Sequence, residues 1–168
     1  MAEDRLTGAG ERGTVAATLS PVPPRPLSMS IQVRGMAPLV QVFDMPTSIA
    51  FYRDVLGFQV VGTDGKPVPD NDWVLLELDG VQVMLNTAYE AEYRPSAPDE
   101  ARVASHRDLC LYFSAEDVEG VYTYLRQKGI ELRPPKVAPY GMKQLYLSDP
   151  DGYELCFQWP VEAMSRNG

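Results

Sequence analysis

The sequence predicts an α+β fold built from two tandem βαβββ modules. Three observations predict it. The chain repeats itself about 72 residues apart, with Asp44 to Gly57 and Gly80 in the first copy answered by Asp117 to Gly129 and Gly152 in the second. The spacing from Gly57 to Gly80 is 23 residues, and from Gly129 to Gly152 it is again 23. Each copy also switches from helical to strand periodicity at the same place. A repeat of this kind means two copies of one supersecondary unit, and the cleft where two units meet is the first place to look for a site.

In the first copy, Pro38 to Phe43 is a short apolar strand. Asp44 sits where a helix N-cap belongs, with Pro46 in the first turn, where a missing N–H costs little. Ile49, Tyr52 and Leu56 recur at helical spacing, and Gly57 comes next as a left-handed C-terminal stop. Phe58 to Gly62 is rich in β-formers. Thr63 to Asp72 is a turn-rich loop. Trp73 to Leu78 and Val81 to Asn86 flank Asp79-Gly80, a strong two-residue hairpin signal. A connector over residues 89–107 carries Pro95, Pro98, Tyr89 and Tyr93.

In the second copy, Leu109 to Phe113 is a strand and Asp117 caps a helix with Val118, Val121, Tyr122 and Leu125 on one face. Gly129 ends that helix. Ile130 to Arg133 is expected as a strand closed by Pro134-Pro135. Met142 to Leu147 and Tyr153 to Gln158 form a last hairpin around Asp149-Pro-Asp-Gly152. The expected organisation is a Pro-rich disordered tail over 1–34, module one over 36–88, the connector, module two over 108–160, and a short tail over 161–168. The folded part is 35–160. Residues 1–34 show neither helical nor strand periodicity, and Met29 and Met36 are both plausible starts.

Composition narrows the function. Hydrophobic residues make up 45% and charged residues 23%, which is ordinary for a globular chain. The net charge of −8, from 15 basic and 23 acidic side chains, argues against nucleic acid and is compatible with a cationic ligand; the expected small-molecule ligand is cationic or aromatic. No apolar run is long enough to span a membrane, and the start, without a basic segment followed by an apolar one, does not read as a secretory signal. Cys110 and Cys156 make no disulfide framework, so a reducing, cytoplasmic setting is expected.

Strand alternation assigns faces. Val81, Val83 and Leu85, then Leu109, Leu111 and Phe113, then Tyr153, Leu155 and Phe157 are expected to form the core. The opposite face is mixed. It carries Leu39, Gln41 and Phe43 on the first strand and Gln82, Met84 and Asn86 on the fourth. From the second copy come Cys110 and Tyr112, then Glu154, Cys156 and Gln158. Amides, thiols, aromatics and one carboxylate together suit a ligand cavity better than a plain core.

Val42 to Phe58 and Leu147 to Tyr153 resemble the vicinal oxygen chelate superfamily, the group of glyoxalase I, bleomycin-resistance proteins and extradiol dioxygenases. The resemblance covers about Pro38 to Trp159. It implies paired βαβββ modules with mixed sheets curled round a central cavity, often in a homodimer. It also implies a divalent metal held by His or Glu at four positions. Here those positions fall on Ala37, Met84, Cys110 and Cys156, which do not support one. A thiol–thioether set would suit Cu(I) better than zinc. The single histidine, His106, sits in the connector as a surface or hydrogen-bonded residue. No P-loop, dinucleotide fingerprint or Ser/His/Asp constellation is present.

The resemblance therefore implies a glyoxalase/bleomycin-resistance-like protein that binds a small amphipathic organic molecule in a metal-free cavity. The alternative is a divergent lyase, isomerase or dioxygenase-like enzyme with Glu154 as general base beside Tyr112. A third is an interaction module that uses its sheet face or its tail. The expected ligand-binding set is Leu39, Gln41, Gln82, Met84, Asn86, Cys110, Tyr112, Glu154, Cys156 and Gln158.

Overall fold

In the computed structural model the described residues are 33–164. The tail expected over 1–34 lies outside them, Val33 and Arg34 excepted. The strands are β1 Leu39–Val42, β2 Gln59–Thr63, β3 Trp73–Leu78, β4 Val81–Thr87, β5 Cys110–Ser114, β6 Lys136–Val137, β7 Met142–Ser148 and β8 Glu154–Pro160. They form two four-stranded mixed sheets, ordered β1-β4-β3-β2 and β5-β8-β7-β6. In each, the first strand of the copy runs parallel to the last and the others are antiparallel. The helices are α1 Met45–Ala50, α2 Glu100–Ser105, α3 Val118–Gln127 and a single turn, α4 Val161–Met164, where a tail was expected.

The helix ends are set by the residues the sequence offers. The Asp44 carboxylate accepts from Thr47 N at 3.1 Å, and Asp117 accepts from Gly120 N at 2.8 Å. Gly57 and Gly129 leave their helices at φ 89° and 83°. Only a residue without Cβ takes that conformation freely, so each glycine turns the chain sharply out of its helix. Asp79 and Gly80 both have positive φ, 50° and 81°, as a two-residue hairpin of the favoured hand requires.

Three elements depart from expectation. The first helix does not run uniformly to Gly57. It passes from α into a π turn over Phe51–Val55, with Leu56 N bonded to Phe51 O at 3.1 Å. Ile130 to Arg133 is not a strand. Ile130 and Leu132 instead pack against the core, and the two prolines after them have no N–H to give a ladder. Pairing begins only at Lys136–Val137. The connector holds α2, whose N-cap Asp99 accepts from Arg102 N at 2.9 Å.

One core is shared by both modules. It contains Val40, Val42, Met45, Ile49, Tyr52 and Phe58 from the first, and Leu111, Val118, Leu125, Leu145, Leu155 and Phe157 from the second. The face assignment holds within the strands: Val83 and Leu85 are buried, as are Leu111, Tyr153, Leu155 and Phe157. It fails at two strand ends. Val81 and Leu109 are exposed, because each lies where the sheet runs out. Leu109 precedes β5, and Val81 is the first residue after the turn.

Candidate functional site

The registers show which non-core side chains share rungs. In the first sheet Leu39, Met84, Leu75 and Gly62 lie in one rung, and Gln41, Asn86 and Trp73 in the next. Gln82 pairs with Glu77, and its amide donates to that carboxylate at 2.7 Å. In the second sheet Tyr112, Cys156 and Tyr146 share a rung, Cys110, Glu154 and Ser148 another, and Gln158 and Gln144 a third. The expected residues are thus gathered on one face of each sheet. Trp73, Leu75, Glu77, Gln144, Tyr146 and Ser148 join them. Apart from Glu77, weighed as a carboxylate within a strand of the cavity, they were not singled out from the sequence, although alternation along β3 and β7 carried the signal.

Cover varies along these faces. Cys156 is fully buried and Cys110 half-buried, whereas Leu39, Tyr112 and Tyr146 are exposed. Burial pushes the Cys110 thiol up to about 11, with the Glu154 charge acting in the same direction. Burial also raises the Cys156 thiol. Neither is therefore an activated nucleophile. The Tyr112 and Tyr146 hydroxyls lie 3.4 Å apart, their rings edge to face at 6.5 Å. That hydrogen bond, and then burial, drive the Tyr146 phenol well above its ordinary range.

Across the second sheet lies a groove of about 1210 Å³. Its floor is Gln144, Tyr146, Ser148 and Glu154, and its wall is the segment from Ile130 to Ala138. Both signs of charge meet there: Arg126, Arg133 and Lys136 against Glu131 and Glu154. Of the ten residues expected to bind ligand, only Glu154 lines this groove. Ile130 to Arg133 was read as a strand closed by Pro134-Pro135, so the role of this segment as a wall was missed.

The positions where the resemblance implies metal ligands carry a methyl group, a thioether and two thiols at Ala37, Met84, Cys110 and Cys156. Among the described residues, no three His, Cys, Asp or Glu side chains converge in a way that could hold a metal ion. This donor set does not fit a hard or borderline divalent metal. His106 is engaged elsewhere. Its ring stacks on Tyr153 at 4.0 Å, Nδ1 lies 2.7 Å from the Asp151 carbonyl oxygen, and Nε2 accepts from Arg102 Nε at 3.4 Å.

The Asp149-Pro-Asp-Gly152 turn does more than close a hairpin. Tyr52 donates its hydroxyl to Asp149 Oδ2 at 3.0 Å, and Ser48 donates to Asp151 Oδ2 at 2.9 Å. Phe43 N donates to Asp151 Oδ1 at 2.6 Å. All three donors belong to the first module, so two buried carboxylates of the second module hold the modules together. Burial, the largest cause, raises Asp149 to about 6, opposed by bonds from Tyr153 N and Tyr52.

Comparison with known proteins agrees with this fold. A family model described as Glyoxalase/Bleomycin resistance protein/Dioxygenase superfamily matches residues 35–157. No curated protein matches the chain by sequence. Among solved structures, SMU.1112c is 25% identical with a TM-score of 0.61, covering 76% of this chain and all (100%) of that one. A glyoxalase/bleomycin resistance protein/dioxygenase from Nocardioides is 21% identical, TM-score 0.59, covering 79% of this chain and 87% of its own. A bleomycin-binding protein complexed with bleomycin is 19% identical, TM-score 0.54, covering 75% and 98%. At such identity the last two speak for the fold alone. Among the described residues no helix is long and apolar enough to cross a membrane.

Proposed function

The chain belongs to the glyoxalase/bleomycin resistance protein/dioxygenase superfamily, and on that premise we propose that it binds a small amphipathic organic molecule without a metal. The observation that carries this reading is the groove on the second sheet. Its volume of about 1210 Å³ is at or above the size of ordinary small-molecule sites. Its floor combines an aromatic ring, an amide, a hydroxyl and a carboxylate. Its rim offers both signs of charge, which suits a ligand with polar groups around an apolar body. The bleomycin-binding protein offers a precedent for such a ligand on this fold.

The protein works as a homodimer in this reading. Leu39, Tyr112 and Tyr146 are exposed in a single chain although they share faces with half-buried neighbours. A second copy laid over those faces removes that apolar surface from water and narrows the groove. Two free thiols support a cytoplasmic setting.

A second reading is a metal-free enzyme. It is favoured by Glu154, a carboxylate in the groove beside the hydrogen-bonded pair Tyr112–Tyr146. Glu154→Gln separates the two. A thermal-shift screen with metal-free bleomycin and a panel of aromatic amines and acids first identifies a ligand. A binding protein then keeps its function in Glu154→Gln with at most a modest affinity loss, whereas an enzyme loses turnover and keeps binding. Tyr146→Ala is expected to weaken binding in either case. An unchanged affinity in Tyr146→Ala would remove the groove from consideration.

A further inference from the structure

A second cavity lies on the helix side of the sheets, between the two modules. It encloses about 360 Å³. Its floor is aromatic, with Phe58 edge-on to Phe113 at 6.1 Å and Phe113 stacked on Phe157 at 5.2 Å. Phe58 and Phe157 are buried and Phe113 is half-buried, so this floor belongs to the shared core. The mouth lies between the β3–β4 turn and the start of α3. It is framed by Val81 and Tyr124, each at least 40% exposed.

Charge at the mouth has one sign. Among the described residues, Asp79 and Glu116 are the only ionisable ones that line the cleft besides the Tyr124 phenol, and no Lys, Arg or His does. Neither carboxylate makes a hydrogen bond or ion pair among the described residues. Lys128 Nζ sits 5.4 Å from the Tyr124 ring centroid and pairs with neither carboxylate. An apolar cavity with two unpaired carboxylates at its mouth selects a ligand with an aromatic body and a cationic end. Burying the body is favourable by area, and the ammonium finds both carboxylates and aromatic faces.

We propose that this cleft is a second small-molecule site, which takes an aryl-alkyl ammonium with its ring on the Phe58–Phe113–Phe157 floor and its charge between Asp79 and Glu116. It is separate from the groove on the second sheet. Tyr146, Ser148 and Glu154 line that groove and not this cleft.

The test is an NMR titration of the full chain with three probes of similar shape: 2-phenylethylamine, 2-phenylethanol and 3-phenylpropionate. The amine is expected to shift resonances of Leu78 to Val81 and of Ser114 to Glu116, and to bind at least about fivefold more tightly than the acid. An exposed ion pair is worth up to about 1 kcal/mol, so the Asp79→Asn/Glu116→Gln variant is expected to lose about fivefold for the amine and nothing for the alcohol. Asn suits the left-handed backbone of Asp79, so the turn survives that change. Val81→Trp, at an exposed position, is expected to fill the mouth and weaken all three probes.

Equal affinity for amine and acid would overturn the proposal. So would an unchanged double variant, or shifts confined to Tyr146, Ser148 and Glu154. Cleft resonances that move with protein concentration alone would show a second copy seated there, and would overturn it too. A failure here leaves the groove reading intact, because the two sites report through different residues.

Discussion

Replacing Asp149 by Asn is expected to remove a distinct acid-side stabilisation. Asp149 is buried, and burial is the main reason its carboxyl rises from 3.8 to about 6. The folded state therefore binds a proton more readily than the unfolded chain. The resulting stabilisation is fully present below pH 3.8 and is lost as pH rises through about 6. Its full size comes from the gap between the two values, and at about 1.4 kcal/mol per tenfold it is roughly 3 kcal/mol. Between pH 7.5 and pH 4.5 about 2 kcal/mol of this is realised. Asn keeps an acceptor for Tyr153 N and Asp151 N, both 2.9 Å from Asp149 Oδ1, but does not titrate. Urea unfolding of both proteins at half-unit pH steps reads the difference. Wild type is expected to gain about 2 kcal/mol over Asp149→Asn on going from pH 7.5 to 4.5. Parallel pH profiles, or a wild type that loses ground on acidification, would refute the burial argument.

Other outcomes rest on the same contacts. Tyr52→Phe removes the hydroxyl that reaches Asp149 across the module boundary, and a hydrogen bond to a charged group is worth about 1.5–3 kcal/mol, so denaturant midpoints should fall accordingly at pH 7.5. Gly152→Ala forces a Cβ to within 3.0 Å of Val103 Cγ1 at φ 85°, and a thermal melt should show a loss of at least about 1–2 kcal/mol. Asp44→Ala deletes an N-cap and the partner of Arg94 Nη1 at 2.6 Å, with an expected cost of about 0.5–2 kcal/mol that shrinks in high salt. Cys110, raised to about 11, should react with iodoacetamide at pH 7.5 far more slowly than an unhindered thiol, with Cys156 inert until unfolding.

Much of this fold was legible because local signals and the repeat agreed. Asp44, Asp117, Gly57, Gly129 and Asp79-Gly80 each carry a backbone requirement that few other residues meet, so their roles come directly from residue type. The π turn also left a trace. Asp44 to Gly57 spans 13 residues where Asp117 to Gly129 spans 12, and a π turn absorbs one extra residue within a helix. The illegible parts depend on distant partners. Ile130 and Leu132 look like strand residues, yet the core claims them. Asp149 and Asp151 read as turn formers, and nothing local says that Tyr52 and Ser48, about a hundred residues earlier, donate to them. Cys156 and Tyr112 share a rung but differ wholly in exposure, because exposure depends on what covers a sheet rather than on alternation. The groove was missed for the same reason: its wall begins with Ile130 to Arg133, which locally read as a strand.

The most direct test of metal-free binding in the groove is calorimetric titration of the best ligand from the screen, before and after exhaustive treatment with EDTA. The same affinity and stoichiometry are expected in both. Binding abolished by chelation and restored by added Zn²⁺, Ni²⁺, Mn²⁺ or Fe²⁺ would contradict metal-free binding, and would mean that ligands other than Ala37, Met84, Cys110 and Cys156 hold a metal.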